Sequence, residues 1–290
     1  MNTNRADAEL FIEGTTIYSQ EGTTQGDPLA MAFYALATVP LSKACKIERL
    51  AGEVWFADDA TGGGRIDDLR LWWDLLERKG PLYGYYPNDT KTWLIVKQKY
   101  REAAEEKFKG TSIRITTSGR RHLGSALGSS DFVQSFVTAR VSEWCEQLKT
   151  LSSIAATHPQ EAYCAFSHGL KGKWSYFTRT TPGICDLVEP LERFLRDDFV
   201  PAITGRPCSG DLERELLSLP PRLGGLGITN PTTLTEDSKY SLDVTAPLVA
   251  LITMQSSDST PPLEAQQAIK KRLQSTKRTA QCQEASRVAN

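Results

Sequence analysis

The sequence predicts an α+β fold, because strand-like and helix-like segments are segregated along it. Short β-prone runs set off by Gly, Asn and Asp turns fill residues 1–128, and from Asp131 onward apolar residues recur at helical spacing. No internal repeat is visible. The expected organisation is an antiparallel sheet with helices over 1–128, a mostly helical region over 129–252, and a polar linker with a basic C-terminal helix over 253–290.

Ala8 to Tyr18 carries Leu10, Ile12 and Ile17 around Gly14 and reads as strand, turn, strand. Gly22 to Pro28 (GTTQGDP) is a loop ending in a helix start, with Asp27 placed to cap free N–H groups and Pro28 suited to the first helical position. Leu29 to Leu41 (LAMAFYALATVPL) is apolar all round, which predicts a buried helix. Glu53 to Phe56 is β-prone and runs into the turn Ala57-Asp58-Asp59-Ala60, after which Gly62, Gly63 and Gly64 weaken any second strand. Ile66 to Lys79 has acids in its first turn, apolar Leu69, Trp72, Leu75 and Leu76, and a Gly80 stop, the pattern of an amphipathic helix. Thr92 to Val96 predicts a buried strand, and Ser112–Thr116 with Arg121–Leu123 predicts a hairpin bracketing Ser118-Gly119. Helices are expected over Phe132–Leu151, Glu161–Leu170 and Ile184–Phe199, a loop-rich stretch over Gly205–Gly227, a linker after about Met254 and a basic helix from Leu263.

With 290 residues, 40% hydrophobic and 24% charged, the chain has the composition of a globular protein and room for one large or two small cores. A net charge of -1 gives no global signature of a nucleic-acid binder, so local charge carries the argument. Six cysteines form no C-x-x-C pair, which argues against a zinc knuckle or a disulfide scaffold and fits free thiols in a reducing compartment. No run approaches the ~18 apolar residues of a membrane span, and the N-terminus lacks a signal-peptide layout. The expectation is an intracellular protein, nuclear or cytoplasmic, neither secreted nor bound to a membrane.

The sharpest local feature is Phe56-Ala57-Asp58-Asp59. Adjacent carboxylates at a tight turn repel each other unless a cation or solvent screens them, and a hard divalent ion is the obvious use. In a two-ion site such ions serve phosphoryl transfer. For the dipeptide alone, ordinary turn chemistry is the better account. Asp67-Asp68 is the control: the same dipeptide, explained as charge at a helix N-terminus.

Order and spacing change that balance. About thirty residues before the pair stands Gln25-Gly26-Asp27-Pro28-Leu29; about thirty after it comes Asn88-Asp89-Thr90-Lys91-Thr92, and then Leu123-Gly124. This succession resembles the reverse transcriptases of retroelements, with their Q-G-x-P-L segment, [YF]-x-D-D turn, N-x-x-K-T segment and L-G hairpin. The resemblance covers roughly residues 4–128, and more loosely the helical part to Pro231. It implies a partial right-hand polymerase palm followed by a helical thumb-like region, and RNA-directed DNA polymerase activity by metal-dependent nucleotidyl transfer. Under it Asp58, Asp59 and Lys91 are catalytic, and Asp58 and Asp59 hold Mg²⁺ or Mn²⁺, two ions in an intact family member. Gln25, Gly26, Phe56 and Ala57 contact nucleotide or template, and Leu123 and Gly124 grip the primer. The implied partners are an RNA template, a DNA primer and deoxynucleoside triphosphates.

Two basic segments bear on those partners. Lys97 to Arg121 holds eight Lys/Arg against three Glu, a cluster that would attract a phosphate backbone. Lys171, Lys173, Trp174, Tyr176, Phe177 and Arg179 read equally as a stacking surface or as a partly buried helix end with a solvated face.

The sequence also departs from the family. The third palm carboxylate belongs to a D-x-x-x-A-[FY] pattern upstream of Q-G-x-P-L, and none of the twenty-four residues before Gln25 match it. Asp7, in ADAELF, reads as a surface residue. The chain is therefore expected to start inside the palm and to be inactive alone. Ala60 to Gly64 also lacks the apolar residues with which many members continue the hairpin. The alternative is a degenerate, non-catalytic nucleic-acid-binding remnant. A metal-dependent phosphohydrolase would use the aspartates but leaves Gln25-Gly26, Lys91 and Leu123-Gly124 unexplained.

Overall fold

The computed structural model describes residues 8–19, 28–234 and 263–289. The architecture is α+β, with four two-stranded sheets among the described residues and many helices. Two compact units, Met1–Ile115 and Thr116–Asn290, divide the chain.

In the first unit, β1 (Ala8–Ile12) and β2 (Thr15–Ser19) pair antiparallel around Glu13-Gly14. Both turn residues have positive φ, the geometry that matches the twist of a two-residue hairpin. Helix α1 (Ala30–Cys45) follows Leu29, with no side-chain cap; Asp27 lies outside the described residues. The expectation that this helix is buried all round is overturned. Leu36 is 72% exposed and Met31 and Val39 are exposed too, whereas only Leu41 and Cys45 are buried. Composition sets how much apolar surface a helix carries, but packing decides what covers it. Here the last turns dock, through Leu41 and Cys45 on Trp72 and Leu76, and through the Lys79 ammonium donating to Ala44 O at 2.5 Å.

Strands β3 (Gly52–Phe56) and β4 (Asp59–Gly63) form an antiparallel hairpin in register Phe56↔Asp59 to Gly52↔Gly63. The second strand that the glycine run was expected to weaken is thus formed. Gly62 has a packing reason: a Cβ there would come within 2.8 Å of the Trp72 ring, so the missing side chain is what lets α2 (Ile66–Lys79) pack against the hairpin. Gly62→Ala is expected to destabilise the unit by about 1–3 kcal/mol through overpacking. Gly63→Ala, whose Cβ would have its nearest neighbour at 4.0 Å, is the control. Equal urea midpoints for the two variants would refute the account.

Helix α2 ends as expected at Gly80, with Trp72 and Leu76 buried. Its acids are paired: Asp67 with Lys107 at 2.6 Å, and the buried Asp68 with Arg49 at 3.3 Å. Strand β5 (Trp93–Ile95) is half-buried rather than buried. It pairs with β6 (Arg114–Thr116), so the hairpin expected around Ser118-Gly119 does not form. Between them lies α3 (Arg101–Lys107), anchored by Ala104 and Phe108.

The second unit opens with β7 (Gly119–His122) and β8 (Ser125–Gly128), paired around Leu123-Gly124. Both turn residues have positive φ, as a two-residue hairpin loop favours, and that fixes a register the run of β-prone residues did not reveal. Helix α4 (Ser130–Ala155) is capped by Ser129, whose Oγ accepts from Phe132 N at 3.3 Å. Then α5 (Pro159–Ala165) passes through a π-helical turn, Phe166–Leu170, into α6 (Lys171–Thr180). In the same way α7 (Cys185–Phe194) passes through a π turn, Leu195–Phe199, into α8 (Val200–Thr204). The loop-rich stretch contains a short helix, α9 (Asp211–Ser218), and is followed by α10 (Pro231–Leu234). The linker expected after Met254 lies outside the described residues up to α11 (Leu263–Ala289), where a helix was expected. Val137, Trp144, Leu148, Phe166, Leu191 and Phe199 belong to the core of this unit.

Glu213 of α9 accepts from the Arg206 guanidinium, from Ser209 N at 2.5 Å and from Ser209 Oγ at 2.7 Å. With Arg206 the largest cause, these donors pull its carboxyl down to about 2. The folded value lies below the unfolded one, so the stabilisation is complete above the ordinary pKa of 4.5 and is lost as pH falls towards 2. The difference in melting temperature between the wild type and Glu213→Gln is expected to shrink over that window. A constant difference would contradict the assignment.

All six cysteines are free thiols. Among the described residues no helix is long and apolar enough to cross a membrane.

Candidate functional site

The Phe56↔Asp59 register leaves a two-residue loop, Ala57-Asp58, at the hairpin tip. Ala57 adopts φ +53, a left-handed conformation that costs an L residue roughly 1–2 kcal/mol. The turn therefore needs support from outside the hairpin. Tyr85 supplies part of it: its hydroxyl donates to Asp58 O at 3.2 Å, and its ring meets Trp55 edge-on with centroids 5.3 Å apart. Tyr85 is in turn fixed by its own N–H to Gly80 O at 3.0 Å. Gly80 is required there, since a Cβ would lie 2.4 Å from Tyr85 O. On β3, Glu53 accepts from Trp55 Nε1 at 2.6 Å and from Ser42 Oγ of α1 at 3.1 Å, which ties helix and hairpin together.

Both Asp58 and Asp59 are exposed at this tip, beside two tyrosines. Burial, with Tyr34 and the charges of the two aspartates adding to it, pushes the Tyr85 phenol up to about 12. Burial and the same aspartates raise Tyr34. Both phenols therefore stay protonated at neutral pH beside the carboxylates, as neutral hydroxyls. The tyrosines were not singled out from the sequence. Tyr85 stands 27 residues beyond Asp58, and no local pattern marks such a contact.

Phe56 is exposed and Ala57 partly so, flanking the pair. Gln25 and Gly26 lie outside the described residues. Lys91 is exposed in a turn closed by Asn88: Asn88 Oδ1 accepts from Lys91 N at 3.2 Å and from Thr90 Oγ1 at 2.7 Å. Asp89 accepts from Ser112 N at 2.9 Å, fixing that turn near β6. Among the described residues no hydrogen bond or ion pair joins Lys91 to the aspartates.

Leu123 and Gly124 form the turn of the first hairpin in the second unit. Tyr176 donates to Leu123 O at 2.5 Å, and a Cβ on Gly124 would press against the Tyr176 ring at 3.1 Å. Ser125 Oγ lies 2.9 Å from Thr181 Oγ1, a second tie to the end of α6. Of the basic and aromatic residues around it, Trp174 is 0% exposed and Phe177 2% exposed, both in the core. Lys171 donates to Gly227 O at 2.6 Å and Lys173 to Gln147 at 3.0 Å. The stacking-surface reading of this segment is thus corrected to the other one, a helix end with a solvated face. The basic stretch Lys97–Arg121 crosses from one unit to the other, and within it Arg101 pairs with Glu105 at 2.8 Å.

Among the described residues no three His, Cys, Asp or Glu side chains gather as a metal site. Asp58 and Asp59 offer one side of a divalent-ion site and leave the facing ligands to be supplied. Comparison with protein-family models, with curated proteins and with solved structures finds no match.

Proposed function

We propose that this chain is a reverse-transcriptase-like segment, a palm followed by a thumb-like region, whose chemistry is RNA-directed nucleotidyl transfer. The observation that carries the reading is the placement of Asp58-Asp59 at the tip of a tight hairpin, held by Tyr85 and backed by α1, at the point in the motif order where the family's metal-binding turn falls. A divalent ion bound there would supply Lewis acidity at the reacting phosphate. The chain's own part is to orient the two carboxylates through the Ala57 turn, to keep the adjoining phenols neutral, and to present Lys91 on an exposed turn as a cation for the departing pyrophosphate. An RNA template, a DNA primer and deoxynucleoside triphosphates are the partners of this reading.

The carboxylate count among the described residues supports a second reading, a non-catalytic nucleic-acid-binding remnant, because two carboxylates do not complete a two-ion site. Templated primer extension by a chimera that adds the third carboxylate separates the two. Extension that depends on Asp58 supports the polymerase, and none supports the remnant.

A further inference from the structure

A groove of about 830 Å³ opens in the first unit, lined by residues at the foot of the β3–β4 hairpin, by the start of α2, and by β5 and α3. The lining residues Ala51 and Gly64 flank the Gly52↔Gly63 pair, the opposite end of the hairpin from Asp59. Four residue steps separate Gly63 from Asp59, about 14 Å at the rise of an extended strand. The groove is thus a site apart from the aspartate tip.

Its charge is one-sided. Arg49, Arg65, Lys97 and Lys107 line it against the single carboxylate of Asp67. Asp67 is engaged by Lys107, and Arg49 reaches the buried Asp68. Among the described residues Arg65 and Lys97 have no ion-pair partner, and both are exposed. Between these cations the wall is apolar, formed by Leu69, Ile95, Val96 and Ala103, with Tyr100 beside them. A cleft lined by one sign of charge with low-dielectric walls focuses its field on an anion.

We infer that this groove binds an organic phosphate of nucleotide size, with phosphoryl oxygens on Arg65 and Lys97 and an aromatic or apolar body against Leu69, Ile95, Val96 and Tyr100. The guanidinium fork matches phosphate geometry, and the volume falls in the ordinary range of small-ligand sites, about 300–1,000 Å³. Inorganic phosphate alone would leave the apolar wall wet. Arg49 and Lys107 add long-range attraction, and Asp67 opposes it. Because cations of the chain hold the phosphate, binding needs no divalent ion. This inference stands independently of the polymerase reading.

The test is titration of the full chain with methylanthraniloyl-ATP in EDTA, followed by fluorescence, with ATP, adenosine, inorganic phosphate and a short single-stranded oligonucleotide as competitors. Saturable binding is expected, displaced by ATP and not by adenosine. Competition by ATP better than by the oligonucleotide assigns a free nucleotide, and the reverse assigns a strand phosphate in the same site. Arg65→Ala with Lys97→Ala is expected to weaken binding about a hundredfold, roughly tenfold for each charge-assisted contact. Asp67→Asn is expected to tighten it, by removing the opposing charge and releasing Lys107. Circular dichroism and thermal melts show that each variant is folded. No saturable binding in EDTA, displacement by adenosine as efficient as by ATP, or a folded double variant that binds like the wild type would overturn the inference.

Discussion

Residues 1–290 alone are expected to give no detectable templated primer extension with Mg²⁺ or Mn²⁺. The reasoning is a count of hard ligands. Two divalent ions need several oxygen donors between them, and the hairpin tip presents Asp58 and Asp59 from one side only. Among the described residues no further carboxylate joins them, so one ion at best is expected there, and weakly held, because the two adjacent carboxylates repel one another. Electrostatic stabilisation at a reacting phosphate is commonly worth several kcal/mol, so loss of half the site lowers the rate roughly a thousandfold or more. A chimera carrying a D-x-x-x-A-F strand ahead of Met1 is expected to extend primers, and Asp58→Asn within that chimera to abolish extension. Robust extension by the unfused chain would show that the ligand count is wrong. A chimera that extends equally well with Asp58→Asn would remove Asp58 from the mechanism and leave the hairpin a structural element.

Elements whose cause is local were legible in the sequence, and those whose cause is a distant contact were not. Helix α2 was read to the residue because its acids, its apolar stripe and Gly80 all lie within it. The hairpin tip was legible for the same reason. The strand after it was not, since Gly62, one of the glycines that argue against a strand, makes room for Trp72, a side chain on the following helix that no local pattern connects to it. The same limit explains α1: an apolar helix announces that it can be covered, not that it is. Pairing fails in its own way. Of Ser112–Thr116 only Arg114–Thr116 is a strand, and a strand does not name its partner: β6 pairs with β5. At the site, Asp58, Asp59 and Lys91 came from motif order, whereas Tyr34 and Tyr85 have no motif and only the folded geometry brings them to the pair. Aromatic residues beside lysines were the least informative signal, because Trp174 and Phe177 are buried in the core while Lys173 and Arg179 beside them are exposed.

Glu192→Ala is expected to be among the most destabilising single substitutions in the second unit, by about 3–5 kcal/mol. The Arg214 side chain is 5% exposed and each nitrogen of its guanidinium is engaged: Nε to Glu192 Oε1 at 2.7 Å, one terminal nitrogen to Oε2 at 2.6 Å, the other to Ile228 O at 2.6 Å. Three pieces of chain meet there, α7 through Glu192, α9 through Arg214, and the LPPRLGGLGI segment through Ile228. That segment is further bound to α9, with Ile228 N donating to Leu217 O at 3.0 Å. It approaches so closely that a Cβ on Gly225 would collide with Leu216 O of α9. Burial raises the Glu192 carboxyl above its ordinary value despite the pull of Arg214, which marks the charged pair as expensive to desolvate. The pair is therefore required less for its own attraction than because either charge without the other is stranded. Removing Glu192 strands the guanidinium, whereas replacing both partners with Leu removes the buried charge altogether. The double variant is thus expected to be more stable than Glu192→Ala, even though Ile228 O loses a donor. Urea unfolding of the three proteins checks the order. A Glu192→Ala midpoint close to that of the wild type, or a double variant less stable than the single one, would show that water reaches Arg214 and that this junction is not dry.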